Sequence, residues 1–248
     1  MRIKEAKGKR IMLKDYIVKR KSTRKFDMKP LEEDVLHEIK EFATTMKPLY
    51  EHIKVEYSFL GENEVKNILP VKAPHYIIIS SESTEGYLTN VGFLLQQMDL
   101  YVSSKGLGSC YLGLAKPTEK ADSELEFVII LAFGNSLDSP YREESEFKRK
   151  PLTKISNRED QRLEVVRLAP SSTNSQPWYV VSIGDVMHLY CVKLGLFKGM
   201  MYNKMNQIDM GIALAHLYVS HTSTFSYFSE QNPPVVEGYY YIGSALIN

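Results

Sequence analysis

One order of elements, helix, strand, helix, strand, is legible twice along this 248-residue chain. A repeated supersecondary unit has to bury the apolar face of each copy against its neighbour. In the first copy, residues 30–34 put proline and acids where a helix begins, and Val35, Leu36, Ile39, Phe42 and Ala43 follow as one apolar face. Residues 53–59 alternate as a half-buried strand, and 76–80 form a short apolar run. Val91, Leu94, Leu95, Met98, Tyr101 and Val102 then recur at helical spacing over 87–105, and the glycines of 106–109 stop that helix. Residues 126–134 carry the strongest strand signal in the chain. Upstream, Ile11, Leu13, Tyr16 and Ile17 predict a short helix that ends near Lys21 and Ser22, and 139–151 reads as a charged connector.

The second copy follows with shorter loops. Glu33 and Asp34 recur as Glu159 and Asp160, an offset of 126 that lays Ile39 and Ala43 on Val165 and Ala169, and residues 53–58 on 179–184. The tetrapeptide at 100–103 recurs at 217–220, an offset of 117, and Gly134 matches Gly243, an offset of 109. Chance agreement of two amphipathic patterns is the competing explanation. If the repeat is real, the chain is an α+β layered fold rather than a doubly wound sheet. Its halves, 1–138 and 139–248, would pack as an intramolecular pseudo-dimer in one compact monomer, with room for a site across the seam.

Charge narrows the partners. The 31 basic and 30 acidic residues nearly cancel, so no global field favours nucleic acid or an anionic membrane, and any anion site must be local. Cys110 and Cys191 lack CxxC or Cys/His spacing and read as buried free thiols. The six histidines are scattered, and His216 and His221, five apart, are misaligned for a metal. The basic start has no apolar core and no run approaches a membrane span, which leaves the cytoplasm as the expected location.

Two segments could carry chemistry. Arg20, Ser22 and Arg24 are spaced by two, so in an extended segment two guanidinium forks and a hydroxyl would converge on one phosphate. As a bare basic run the same residues would be a solvated patch. In the second segment, 167–178, Pro170 ends a helix, and Ser171, Ser172, Thr173 and Asn174 could offer hydroxyls and backbone donors beside a flat ring. Alternatively this is only a capped turn leading Trp178 into the core.

Together these segments resemble the FMN-dependent nitroreductase family. Its phosphate motif, ArgXSerXArgXPhe, is complete at Arg20, Ser22, Arg24 and Phe26, and its AlaProSerSerXAsnXGlnProTrp element is complete over 169–178. Residues 106–113 are similar to the family's turn facing the flavin N5 and O4 edge, which implies roles for Tyr111, Leu112 and Gly113. Residues 148–152 are similar to its basic tail at the phosphate, which carries over to Lys148 and Arg149. The resemblance implies that Pro170, Ser171, Ser172 and Asn174 flank the ring. The first half has lost the ProSerSer turn at 43–52 and the second half lacks ArgXSerXArg, so a single FMN site per chain is expected, shared between the halves. The implied activity is hydride transfer from NADH or NADPH through the flavin to a small electron-poor acceptor, such as a nitro compound or quinone. No side-chain nucleophile, acid or metal is needed, because the cofactor carries the chemistry. A flavin-binding or flavin-sensing protein without turnover, or a scaffold that binds no flavin, are the alternatives.

Overall fold

The computed structural model describes residues 2–4, 10–119 and 123–247; of the basic start, residues 1 and 5–9 lie outside them. In chain order the elements are β1 (Arg2–Lys4), β2 (Arg10–Met12), α1 (Glu33–Thr45), β3 (Val55–Gly61), β4 (Val65–Asn67), β5 (His75–Ser81), α2 (Tyr87–Ser104), β6 (Gly108–Leu112), β7 (Ala115–Pro117) and β8 (Glu126–Gly134). They continue with α3 (Glu164–Arg167), β9 (Trp178–Ile183), β10 (Val186–Val192), α4 (Leu196–Ser220), β11 (Ser226–Phe228) and β12 (Tyr239–Leu246). Among the described residues no helix is long and apolar enough to cross a membrane.

Two four-stranded antiparallel sheets, β3-β5-β8-β6 and β9-β10-β12-β11, follow the same connectivity. In each, the first strand pairs with the second, the second with the fourth and the fourth with the third. Each also has an irregularity where its second strand meets its fourth, at Ile79/Ser80 in one and Leu189/Tyr190 in the other. The core gathers Ile77 and Leu131 from one sheet, Val180 and Leu189 from the other, and the buried faces of α2 and α4.

Residues Leu88 to Ser103 of α2 are all buried, so this helix is a core element rather than an amphipathic surface one. Burying a side chain such as Met98 or Leu95 is worth about 1.5–3 kcal/mol. The helix ends in a Schellman motif. Gly106 takes φ 77°, its N–H returns to Ser103 O, and the Leu107 N–H reaches Val102 O.

Helices α2 and α4 cross at two glycines. A Cβ on Gly92 would lie 2.0 Å from Ile208 O, and one on Gly211 would lie 1.9 Å from Thr89 O. Thr89 to Ile208 and Gly92 to Gly211 are both steps of 119 residues, so the two contacts are related as in a self-complementary twofold interface. The tetrapeptide recurrence at 117 is therefore out of register with the crossing by two residues, which is more than half a turn of helix.

Other expectations need correcting. The helix anticipated from Leu13 is a single 3-10 turn, Leu13–Tyr16, because the chain is drawn out soon afterwards: Arg20 bridges to Tyr141 and Ser22 to Ser109. In the second copy, the helix anticipated around Val165 and Ala169 shrinks to the 3-10 turn Gln161–Leu163 and the four residues of α3, with Pro170 close behind. Most of 106–113 is strand β6, registered on β8 from Gly108↔Gly134 to Leu112↔Ile130, with turns only at its ends, at Gly106 and at Gly113. Strand β10 was not anticipated. The elements α1, β3, β5, α2 and β8 fall where the sequence places them, to within a few residues at their ends.

Because the helix crossing has no room for a methyl, Gly211→Ala should lower the free energy of unfolding by about 2–3 kcal/mol or more. Gly195→Ala, at a position with nothing within 4 Å of the added Cβ, should change it by less than about 0.5 kcal/mol. Urea unfolding of the two variants side by side checks this.

Candidate functional site

Residues 20–26 cross the edge of β6 at Ser22 and Thr23, with Arg20 bridged to Tyr141 and Phe26 to Ser136. Ser22 bridges Ser109, and the Thr23 N–H donates to Ser109 O at 2.8 Å. The approach requires glycine opposite, since a Cβ on Gly108 would meet Thr23 Oγ1 at 2.3 Å. Extended backbone sends alternate side chains the same way, which places Arg20, Ser22 and Arg24 on the side away from Thr23.

The three do not share one environment. Ser22 and Arg24 line a cavity of about 480 Å³. Arg20 is only 2% exposed, and its Nε lies 2.9 Å from Asp99 Oδ2 on α2. Asp99 also accepts from the Ser109 hydroxyl and, at 3.0 Å, from Gln96 Nε2. The other Gln96 amide hydrogen meets His216 Nε2 at 3.1 Å, and Gln96 Oε1 accepts from the Tyr111 hydroxyl at 2.9 Å. His216 Nδ1 sits 2.7 Å from Val165 O, and a carbonyl can only accept, so Nδ1 carries the proton and Nε2 is the acceptor. Burial holds this imidazole neutral, with its pKa lowered to about 3. Arg20 is thus the charged end of a buried network that ties the first half to α4, and only its Nη2, 3.4 Å from Ser22 Oγ, points toward the motif.

Two more arginines join from the connector. The Arg142 N–H donates to Lys19 O at 2.8 Å, which lays the connector beside the arginine segment. The guanidinium groups of Arg142 and Arg149 lie 4.7 and 5.5 Å from the centre of the Phe147 ring. Burial, then the charges of Arg142, Arg20 and Arg167, pushes Arg149 down to about 10; burial, then Arg20, lowers Arg142 in the same way. Arg142 Nε and Arg149 Nε are both buried without a hydrogen-bond partner. Crowded guanidinium groups with unspent donors call for an anion. Lys148 is exposed and contributes its carbonyl, which accepts from Asn174 Nδ2 at 2.8 Å.

The opposite wall is the turn after Pro170. Thr173, Asn174 and Gln176 all have positive φ, at 51°, 59° and 50°, a conformation that costs a β-branched residue most. Side chains hold it there: Gln176 N–H to Ser171 Oγ at 2.9 Å, Arg149 Nη1 to Asn174 Oδ1 at 2.6 Å, and Lys150 N–H to Gln176 Oε1 at 2.7 Å. Pro170, Ser171 and Ser172 line the cavity, whereas Asn174 braces the turn through Arg149. Tyr111, Leu112 and Gly113 line it from the end of β6, and Met205, Ile208, Asp209 and Ile212 from α4. Leu69, Val71, Leu114 and Tyr202 make its remaining side apolar.

Asp209 is 3% exposed, and its two carboxylate oxygens accept the Ser172 N–H at 3.0 and 3.1 Å. Burial raises this carboxyl to about 7. Neither Asp209 nor Arg142 belongs to the motifs, although a lone acid within the apolar stretch 208–215 is a signal that could have found the first. Among the described residues, no group of His, Cys, Asp or Glu could hold a metal.

The model of the family described as "Putative TM nitroreductase" matches residues 12–221. Among solved structures, the one described as a "putative nitroreductase" from Thermotoga maritima MSB8 superposes with a TM-score of 0.66 at 19% identity, covering 96% of this chain and 93% of that one. A nitroreductase family protein from Clostridium novyi NT gives a TM-score of 0.43 at 17% identity over 51% of this chain and 87% of its own. An FMN-dependent nitroreductase from Clostridium difficile R20291 gives 0.42 at 16% over 54% and 93%. No curated protein matches. With more than four-fifths of its length matched by the family model and nearly all of it by the Thermotoga fold, the chain belongs to the TM nitroreductase family.

Proposed function

We propose that this chain binds one FMN across its two halves and uses it to pass hydride from NADH or NADPH to a small electron-poor acceptor, such as a nitro compound or a quinone. The observation that carries this reading is a cavity with two unlike ends. One end is lined by Ser22 and Arg24, close enough to Arg142 to act on its charge, with Arg149 next to Arg142 and both of these carrying buried, unpaired Nε donors; the rest is walled by a strained polar turn and apolar side chains. A flat ring bearing a terminal phosphate matches that polarity, and 480 Å³ is within the range of cofactor pockets.

Each residue then has a task. Arg24, Arg142 and Arg149 hold the phosphate with Ser22 beside them, and Arg20 fixes the segment through Asp99. Pro170, Ser171 and Ser172 would flank the ring, and the backbone at Leu112 and Gly113 would offer donors for the negative charge that reduction places on it. The flavin, when bound, supplies a two-electron carrier at N5. The chain has no dinucleotide-binding glycine fingerprint, so the nicotinamide would share the open face of the ring with the acceptor in turn.

The shared connectivity of the sheets and the twofold glycine contacts support reading the chain as a pseudo-dimer that acts as a monomer. The filling of the opposite position supports a single site. The step of 119 takes Asp99 to Tyr218, and the matching bulges take Ser109 to Phe225 and Tyr111 to Tyr227. Where one side has the Arg20, Asp99 and Ser109 network, the other packs the rings of Phe93, Tyr218 and Phe225 together, with Tyr227 hydrogen-bonded to the Tyr50 hydroxyl at 2.9 Å.

Titration of the apoprotein should give one FMN per chain, bound at least tenfold more tightly than FAD, with light scattering reporting a monomer. A stoichiometry of two, or equal affinities, would count against the reading. Arg24→Ala, at an exposed position, should cost roughly ten- to hundredfold in FMN affinity with little change in stability. Arg20→Ala should behave differently. It strands Asp99 as a buried unpaired charge and should destabilise the fold by about 3–5 kcal/mol, measurable by urea unfolding without flavin.

A further inference from the structure

Resting on the flavin reading above, we propose that Asp209 delivers the proton that completes reduction of the acceptor in this cavity. It is an acid in an otherwise apolar stretch of wall, between Met205, Ile208 and Ile212 of α4. Its one evident structural duty is to hold the ProSerSer turn by the Ser172 N–H.

That duty does not require an acid. The step of 119 residues that relates the helices at their crossing takes Asn90 of α2 to Asp209 of α4. Asn90 Oδ1 accepts the Leu49 N–H at 2.8 Å and the Tyr50 N–H at 3.1 Å, so a neutral amide holds the corresponding first-half loop. Where the loop only needs an acceptor, the chain has asparagine; where the loop borders the cavity, it has a carboxyl group.

The groups around Asp209 leave that carboxyl able to exchange a proton. Ser172 N–H and the Ser175 hydroxyl face it from the turn, the Tyr111 phenol from β6 and the Cys191 thiol from β10. Tyr111 and Cys191 are themselves pushed up by burial and stay neutral. Arg24 lines the same cavity, but no cation is ion-paired with Asp209 among the described residues. Burial therefore dominates and holds the group near neutral pH, where a general acid is most effective.

The step balances simply. Hydride brings two electrons and one hydrogen nucleus to the acceptor and leaves an anion. The Asp209 O–H bond breaks as the proton passes to that anion, and the carboxylate takes a new proton from water through the cavity mouth.

The test uses FMN-loaded protein with menadione as acceptor, comparing wild type with Asp209→Asn, the residue the other half already carries. Reoxidation of the reduced protein should be at least tenfold slower in the variant at pH 6. Its wild-type decline as pH rises through about 7 should disappear, while FMN affinity stays within about threefold. A second measurement needs neither variant nor flavin: the Ser172 amide resonance of the apoprotein should titrate near pH 7. A variant that binds FMN and keeps the wild-type rate and pH profile overturns the proposal. So does a Ser172 amide that shows no titration between pH 5 and 9. If wild type takes up no FMN at all, the flavin reading and this proposal fall together.

Discussion

Two backbone contacts, Gly92 against Ile208 O and Gly211 against Thr89 O, set how closely α2 and α4 can lie, and much else follows from that distance. With no Cβ at either glycine, the helices approach until each backbone rests on the other. Every group that reaches across the seam depends on this spacing. The hydrogen bond from Gln96 to His216 closes only at this separation, and Asp209 on α4 faces the same cavity as Tyr111 at the end of β6. A packing constraint at the centre thus becomes a positional constraint on the cavity wall.

The motifs were readable because each is short and its geometry is local. Three alternating residues need only an extended segment, and the bridges at Arg20, Ser22 and Phe26 supply one. Their burial was not readable. Arg20 looks like Arg24 in the sequence, yet it is buried on Asp99, a residue hidden within the apolar face pattern of α2. Arg142 was missed for a related reason. It stands among Glu143, Glu144 and Glu146, and only the pairing of its backbone with Lys19, more than a hundred residues away, turns it from connector into site.

The repeat expected from the sequence shows the same division between local and distant information. Order of elements survives in the sequence because amphipathic periodicity survives substitution. Register does not, because a two-residue slip along a helix that is buried all round exposes nothing and leaves no hydrophobic trace. The tetrapeptide match at 117 was of that kind, and only the glycine contacts fix the step at 119. Strand β6 was hidden because its glycines read as a helix stop; those at 106 and 108 in fact do two jobs, ending α2 and admitting Thr23.

Electrostatics explains why an anion site can exist in a chain whose charges nearly cancel. The buried carboxylate Asp99 is committed to Arg20, Ser109 and Gln96; it offsets Arg142 less than burial and Arg20 lower it, and among the described residues no carboxylate offsets Arg149. The second buried carboxyl of the site, Asp209, is kept from full ionisation at neutral pH by the apolar wall around it. Burial, then the charges of Arg142, Arg20 and Arg167, lowers Arg149, a cost that an anionic ligand would relieve. Burial thus acts with opposite sign on the two kinds of group, lowering Arg142 and Arg149 and raising Asp209, and in each case it favours the uncharged form.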